Sequence, residues 1–162
     1  MSTMHRMPPL IATLRAEHVH LTRISGLMTE QLDAIESGAP VDSHVLYEIM
    51  GYMVGWADRH HHPREDLIYG RAAELDEQIA DDVDSLQRQH DAMAKSALAL
   101  QGLIARWRAG SASGEEVVRA GRDYIANSNR HMQSEEMLVF PRIEAVLTPA
   151  DWQELELDDR LQ

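Results

Sequence analysis

Residues 83–116 read VDSLQRQHDAMAKSALALQGLIARWRAGSASGEE. Val83, Leu86, His90, Met93, Ala97, Leu100 and Ile104 recur at steps of three and four, the period of one helix face and not the alternation of a strand. The run stops in Arg108-Ala109-Gly110-Ser111-Ala112-Ser113-Gly114, a loop signal, and Glu115-Glu116 follows where acidic side chains favour a helix start. A long amphipathic helix, a short joint and a second helix make the unit from which a bundle is built.

The same pattern extends both ways along the chain. Upstream, Ile11, Leu14, His18, Leu21, Met28, Leu32 and Ile35 form one stripe, and Leu46, Met50, Met53, Val54, Ala57 and His61 form another. Ser37-Gly38-Ala39-Pro40 separates them, with Asp42 or Ser43 as the next N-cap, and the charged stretch from Arg71 to Asp82 separates the second run from the third. Downstream, Val117, Tyr124, His131, Leu138 and Val146 share a side, and Leu147-Thr148-Pro149 offers a cap and a first-turn proline for a short closing helix. The expected fold is all-α: an antiparallel up-down four-helix bundle with a short C-terminal helix. It forms one domain over 1–162, with its core at about 10–147 and an extension at 148–162.

Composition narrows the function. The chain has 162 residues, 27 acidic against 15 basic, for a formal net charge of -12. Lys95 is the one lysine and no run of arginines forms a patch, so neither nucleic acid nor an anionic membrane is an expected partner. Zero Cys removes disulfides, thiolate metal sites and thiol nucleophiles. Met1 to Leu10 has no apolar h-region and no stretch approaches a membrane span, so a cytoplasmic location is expected.

The nine histidines carry the remaining information. Four His–carboxylate pairs lie four residues apart (His44/Glu48, His61/Glu65, His62/Asp66 and His131/Glu135), where composition alone gives about 1.5. Height in the bundle discriminates further. His18 lies roughly 19 residues before the first break and His61 roughly 19 after the second helix begins. His90 lies roughly 19 before the glycine loop and His131 roughly 17 after it. In an up-down bundle, equal distance from a turn is equal height, so four helices each bring one His to one level. His44 sits at a helix end and reads as a surface or cap residue. His5, His20 and His60 acquire no role. The order repeats: His18 precedes His61 by 43 residues and His90 precedes His131 by 41, each pair adding one lone His and one His-x-x-x-Glu. Imidazole and carboxylate without sulfur suit iron, manganese or zinc, and such a set can hold two ions about 3.5–4 Å apart. A metal-free reading leaves several ionisable groups buried without adequate partners. A ferritin-like reading needs two Glu-x-x-His pairs, and only Glu17 to His20 supplies one. Near this level Tyr124, Asn127 and Ser128 edge the site, Tyr124 more as a core residue. Met28, Met50, Met53 and Met93 read as core filler, and Trp56, Trp107 and Trp152 carry no signal.

These residues resemble the hemerythrin-like, or HHE cation-binding, family. The matching segments are Glu17-His18, His61-His62-Pro63-Arg64-Glu65-Asp66, Gln89-His90, and His131-Met132-Gln133-Ser134-Glu135-Glu136 running to Phe140-Pro141, over about residues 10 to 145. The resemblance implies two non-haem iron ions with an oxo or hydroxo bridge. Glu65 and Glu135 are then bridging carboxylates, and His18, His61, His90 and His131 terminal ligands. It also shows departures. Oxygen-carrying members place two His four apart in the third helix, but the positions flanking His90 at that spacing are Leu86 and Ala94. His62 is the candidate fifth ligand, with an outer-layer or solvent-facing role as its competitor. Pro63 removes a backbone donor and is expected to kink its helix locally. The second run ends Ile68-Tyr69-Gly70 where the family often has Phe-Pro.

Three functions follow from one ligand set. The first is a di-iron protein that binds or senses dioxygen, nitric oxide or peroxide. The second is an enzyme that decomposes hydrogen peroxide or oxidises ferrous iron. The third is a non-redox bundle held by zinc. A sensor would signal through a protein partner that the sequence does not identify.

Overall fold

The computed structural model describes residues 6–162, so His5 lies outside the described residues. The chain is an all-helical bundle. Helix α1 spans Pro9–Ser37, and Ile11, Leu14, His18, Leu21, Ser25, Met28 and Leu32 form its buried stripe at alternating steps of three and four. It ends at Gly38, whose φ of 74° is left-handed, and the Ala39 N–H closes the turn on the Ala34 carbonyl at 2.9 Å. Asp42 caps α2 (Ser43–Tyr52) by accepting from the His44 and Val45 amides.

The second run is not a uniform α-helix. A π-helical segment, Met53–His61, joins α2 to α3 (His62–Leu75), and Pro63 sits in the first turn of α3. The expected local disturbance at Pro63 is therefore a widened helix, in which the missing proline N–H leaves no α-type bond to break. Asp76 then caps α4 (Glu77–Arg108), and a Ser113–Glu116 capping box starts α5 (Gly114–Ser134). A second π-helical segment, Glu135–Val139, precedes α6 (Phe140–Val146), again just ahead of a proline. The wider turn advances the register by one residue. Leu138, expected on the inner side, is 64% exposed, and Val139 is buried in its place.

Thr148 and Asp151 form the capping box of α7 (Pro149–Glu156), as the Thr-Pro signal implies. This closing helix belongs to the core. Trp152, Leu155 and Leu161 are buried with Ile11, Leu14, Tyr69, Ile79 and Phe140, and Arg71 ties Asp151 at 2.9 Å. The apolar interior consists of two clusters. One holds Leu14, Ile68, Leu86 and Val139, and the other holds Leu21, Ala57, Ala97 and Tyr124. Each of the four long helical runs passes from one cluster to the other, and the order alternates from run to run. His18, His61, His90 and His131 sit at the four crossings. Met28, Met50 and Met53 fill the second cluster, as expected of core filler, and Tyr124 is buried there too. No helix among the described residues is long and apolar enough to cross a membrane.

Candidate metal centre

The polar layer between the two apolar clusters consists of buried His18, His61, His62, Glu65, His90, His131 and Glu135. Their positions follow from helical spacing. His61 and Glu65 are four apart, His62 and Glu65 three apart, and His131 and Glu135 four apart, so each set shares a face.

Two groups of potential ligand atoms form within this layer. His62, Glu65, His90 and His131 each offer one atom within 4.8 Å of the others, and His18, His61 and Glu65 do the same. Glu65 belongs to both. Its Oε1 lies 3.3 Å from His61 Nε2 and 3.3 Å from His90 Nε2, and its Oε2 lies 3.2 Å from His18 Nε2. Glu135 Oε1 lies 3.0 Å from His131 Nε2 and 3.5 Å from His18 Nε2.

The outer ring edges fix which nitrogen faces inward. His90 Nδ1 lies 2.8 Å from Asp66 Oδ1, His131 Nδ1 2.8 Å from Gln89 Oε1, and His18 Nδ1 2.9 Å from Glu136 Oε1. Those oxygens only accept, so the Nδ1–H groups donate to them and the Nε2 atoms are left facing inward. Yet His90 Nε2 and His131 Nε2 are only 2.9 Å apart. Two lone pairs at that distance need a proton or a cation near them. Both His61 nitrogens, Glu65 Oε1 and Glu135 Oε1 are also buried with no hydrogen-bond partner among the described residues. His61 Nδ1 comes within 3.5 Å of Glu17 Oε1 without hydrogen-bond geometry. Buried polar atoms left in this state are costly, and cation ligation satisfies them together. The donor set therefore fits a metal site.

Within the layer, the carboxylates favour positive charge on the imidazoles. Burial alone lowers the His61 and His90 imidazoles, but carboxylates outweigh it. Glu65 and Glu17 lift His61 to about 9, and Asp66, Glu135 and Glu65 lift His90 to about 12. His18 is raised, burial again being outweighed, here by Glu65 and Glu135. Glu65, which burial would raise, is held well below the usual carboxylate range by His61, His18 and His90. His62 moves the other way. Burial lowers it, and the Asp58 hydrogen bond does not offset burial and the nearby His90 and His61 charges.

The structure brings all seven sequence-named residues together. His62 does not face solvent: its ring stacks on His90 with centroids 4.3 Å apart and its Nδ1 is 3.1 Å from Asp58 Oδ1. The expected His62/Asp66 pair is replaced by His62–Asp58 and His90–Asp66; helical side chains lean toward the N-terminal turn, which puts Asp58 within reach of His62. His44 pairs loosely with Glu48 at 3.7 Å on the surface, and His20 and His60 are exposed. Asn127 is exposed and Ser128 buried beside His131.

The sequence motifs contain Asp66, Gln89, Glu136 and Tyr69 without revealing these partnerships, and Asp58 lies outside them. Helical spacing puts Asp58 four before His62, a usable signal, but the pairs to Asp66, Gln89 and Glu136 cross between helices. Tyr69 lies four residues after Glu65, and its hydroxyl donates to Glu135 Oε2. Burial and the neighbouring carboxylates push that phenol well above its ordinary pKa, so it stays a donor. A groove of about 790 Å³ between α4 and α5 reaches the outer edge of Gln89 and His131.

Sequence comparison agrees with this geometry. The family described as Hemerythrin HHE cation binding domain matches residues 10–143. No curated protein and no solved structure matches the chain.

Proposed function

Because the chain belongs to the hemerythrin HHE cation-binding family, we propose that it is a non-haem di-iron protein that binds or senses a small oxidant: dioxygen, nitric oxide or peroxide. In this reading His18 and His61 hold one ion, His62, His90 and His131 hold the other, and Glu65 and Glu135 are shared between them. One observation carries it: the two histidine groups have the Glu65 carboxylate in common. That arrangement suits a pair of cations better than one, because a shared anion lowers the repulsion between two like charges. Bound iron supplies a redox-active Lewis acid able to bind and polarise the oxidant.

The protein's own groups do the rest. Asp66, Gln89, Glu136 and Asp58 hold the Nδ1 protons of His90, His131, His18 and His62, which fixes each ring and keeps its other nitrogen a lone-pair donor. The two apolar clusters exclude bulk water above and below the layer. The alternating order in which the four runs cross these clusters supports an antiparallel up-down arrangement, and it underlies the common height of the four histidines.

The test is metal analysis of protein purified without a metal-binding tag, with visible absorption recorded before and after oxygen removal and peroxide addition. Two irons per chain with an oxo-bridge spectrum that responds to oxygen or nitric oxide is the expected result. Sustained oxygen evolution from peroxide would assign turnover instead of binding. One colourless zinc, or no metal, would overturn the redox reading.

A further inference from the structure

We propose that Tyr69 allots the two oxygens of Glu135: its hydroxyl holds Oε2, so that Glu135 offers the histidine layer Oε1 alone while Glu65 offers both of its oxygens. This role rests on the di-iron reading above and adds a positioning residue that makes the two carboxylates unequal.

The inference begins in the internal repeat. His61, Glu65 and Tyr69 are spaced four apart in one half of the chain, and His131, Glu135 and Val139 have the same spacing in the other. The repeat is therefore broken at its third position, where a phenol faces an aliphatic side chain. Tyr69 reaches across the layer and donates to Glu135 Oε2. Val139 has no group that can donate to Glu65 in return. The geometry of the carboxylates follows this difference. Both Glu65 oxygens lie 3.2–3.3 Å from imidazole nitrogens of the layer. For Glu135, Oε1 approaches His131 at 3.0 Å, whereas Oε2 lies 3.7 Å from His90 Nε2 and is taken by the phenol.

Packing holds the phenol in this position. Tyr69 is fully buried, and its ring lies nearly parallel to His90 with centroids 6.3 Å apart and tilts against Phe140 at 6.5 Å. A fully buried side chain cannot swing its hydroxyl away without disturbing the core. A carboxylate oxygen occupied by a hydrogen bond is a poorer ligand than a free one. The layer thus keeps one fewer protein oxygen on the Glu135 side, where a small exogenous anion can compete.

Tyr69→Phe removes one oxygen atom and keeps the ring. The iron-loaded wild type and variant are compared for metal content and for azide affinity, read by visible absorption titration. The expected result is an unchanged two irons per chain and azide affinity lower by about tenfold, because the released Oε2 takes the position azide would occupy. Ile143→Val, which trims the same apolar cluster without removing a hydroxyl, should leave azide affinity within about twofold of wild type. Equal azide affinities in Tyr69→Phe and wild type would overturn the proposal, as would an equal loss in Ile143→Val. A phenolate-to-iron absorption band present in wild type and absent in Tyr69→Phe would also overturn it, since Tyr69 would then be a ligand. Loss of iron in the variant would make Tyr69 a requirement for binding and refute the allotment. A wild type that takes up no iron sinks the di-iron reading itself, a result separate from all of these.

Discussion

Replacing His90 with alanine should cripple both metal binding and folding, whereas the same change at His44 should do neither. His90 is buried and meets four groups at once: Asp66 at 2.8 Å, His131 at 2.9 Å, Glu65 at 3.3 Å and Glu135 at 3.7 Å. His44→Ala removes an exposed imidazole with one loose partner at 3.7 Å. Removing one member of a buried, hydrogen-bonded charge set leaves the others uncompensated and costs about 3–5 kcal/mol. An exposed pair of this kind contributes about 0–1 kcal/mol. For a domain of this length each kcal/mol moves Tm by about 2–4 °C, so metal-free His90→Ala should melt about 6–20 °C below wild type and His44→Ala within about 4 °C of it. Metal widens the gap. At a hundredfold excess over Kd, binding stabilises by about 2.7 kcal/mol, which wild type and His44→Ala should gain and His90→Ala should lose. Thermal melts with chelator and with ferrous iron, paired with metal analysis, measure both terms. Equal metal content and equal Tm in the two variants would refute the assignment of His90 to the layer and the height argument with it.

Acidity should act on the metal-free protein from both sides. The raised His61 and His90 add stability that is complete below the ordinary imidazole value of 6.5 and fades as pH climbs through about 9 and on toward about 12. The lowered Glu65 adds stability present above the ordinary 4.5 and lost as pH falls. Melts in chelator should therefore peak near pH 5–6.5, and a Tm that climbs steadily from pH 6 to 10 would contradict this. Gln89→Ala, which releases the His131 Nδ1–H, should weaken iron binding by about 10–100-fold with little change in the fold, as measured by competition with a chelator. Trp152→Ala should cost about 3–5 kcal/mol in denaturant unfolding because the closing helix is part of the core; a loss under 1 kcal/mol would make that helix an appendage. At Gly121 an added Cβ would meet Leu32 Cδ1 at 2.8 Å, whereas at Gly26 it meets nothing within 4 Å. Gly121→Ala should accordingly destabilise by about 1–3 kcal/mol and Gly26→Ala stabilise by about 0.5–1 kcal/mol, opposite signs that one pair of unfolding curves resolves.

Much of this was legible in the chain because the relevant signals are local. The stripes through Ile11 to Leu32 and Val83 to Ile104 need only a helical period, and Gly38, Asp42, Ser113 and Thr148 cap by chemistry confined to one turn. The common level of His18, His61, His90 and His131 needed only counting from those turns. What escaped depends on geometry that a regular period does not encode. A π-helical segment widens the backbone by a fraction of a turn, so Leu138 was assigned inward when Val139 is the buried residue. Partners that cross between helices, such as Asp66 to His90 and Tyr69 to Glu135, depend on helix rotation, which spacing within one helix leaves free. Trp152 gave no signal because a short amphipathic helix looks the same whether it docks on its own domain or stays in solvent.

The π-helical segment also accounts for how the layer gathers five imidazoles although the position four before His90 is Leu86. That leucine is buried in an apolar cluster with Ile79 and Val83, so the third helix contributes only one histidine. Adjacent residues on a regular helix point about 100° apart, and a doublet normally buries one side chain and exposes the other. The Met53–His61 widening changes this at its own end. His61 stays fully buried within the His18 group, and His62 stacks on His90 in the other group. Glu65 follows at four residues from one and three from the other, so a single helical turn supplies an imidazole to each group and the carboxylate common to both. The layer thus draws its fifth imidazole from the second helical run and not from the third. Pro63 makes the widening tolerable, since a widened turn just ahead of a residue with no N–H forfeits no helical hydrogen bond there.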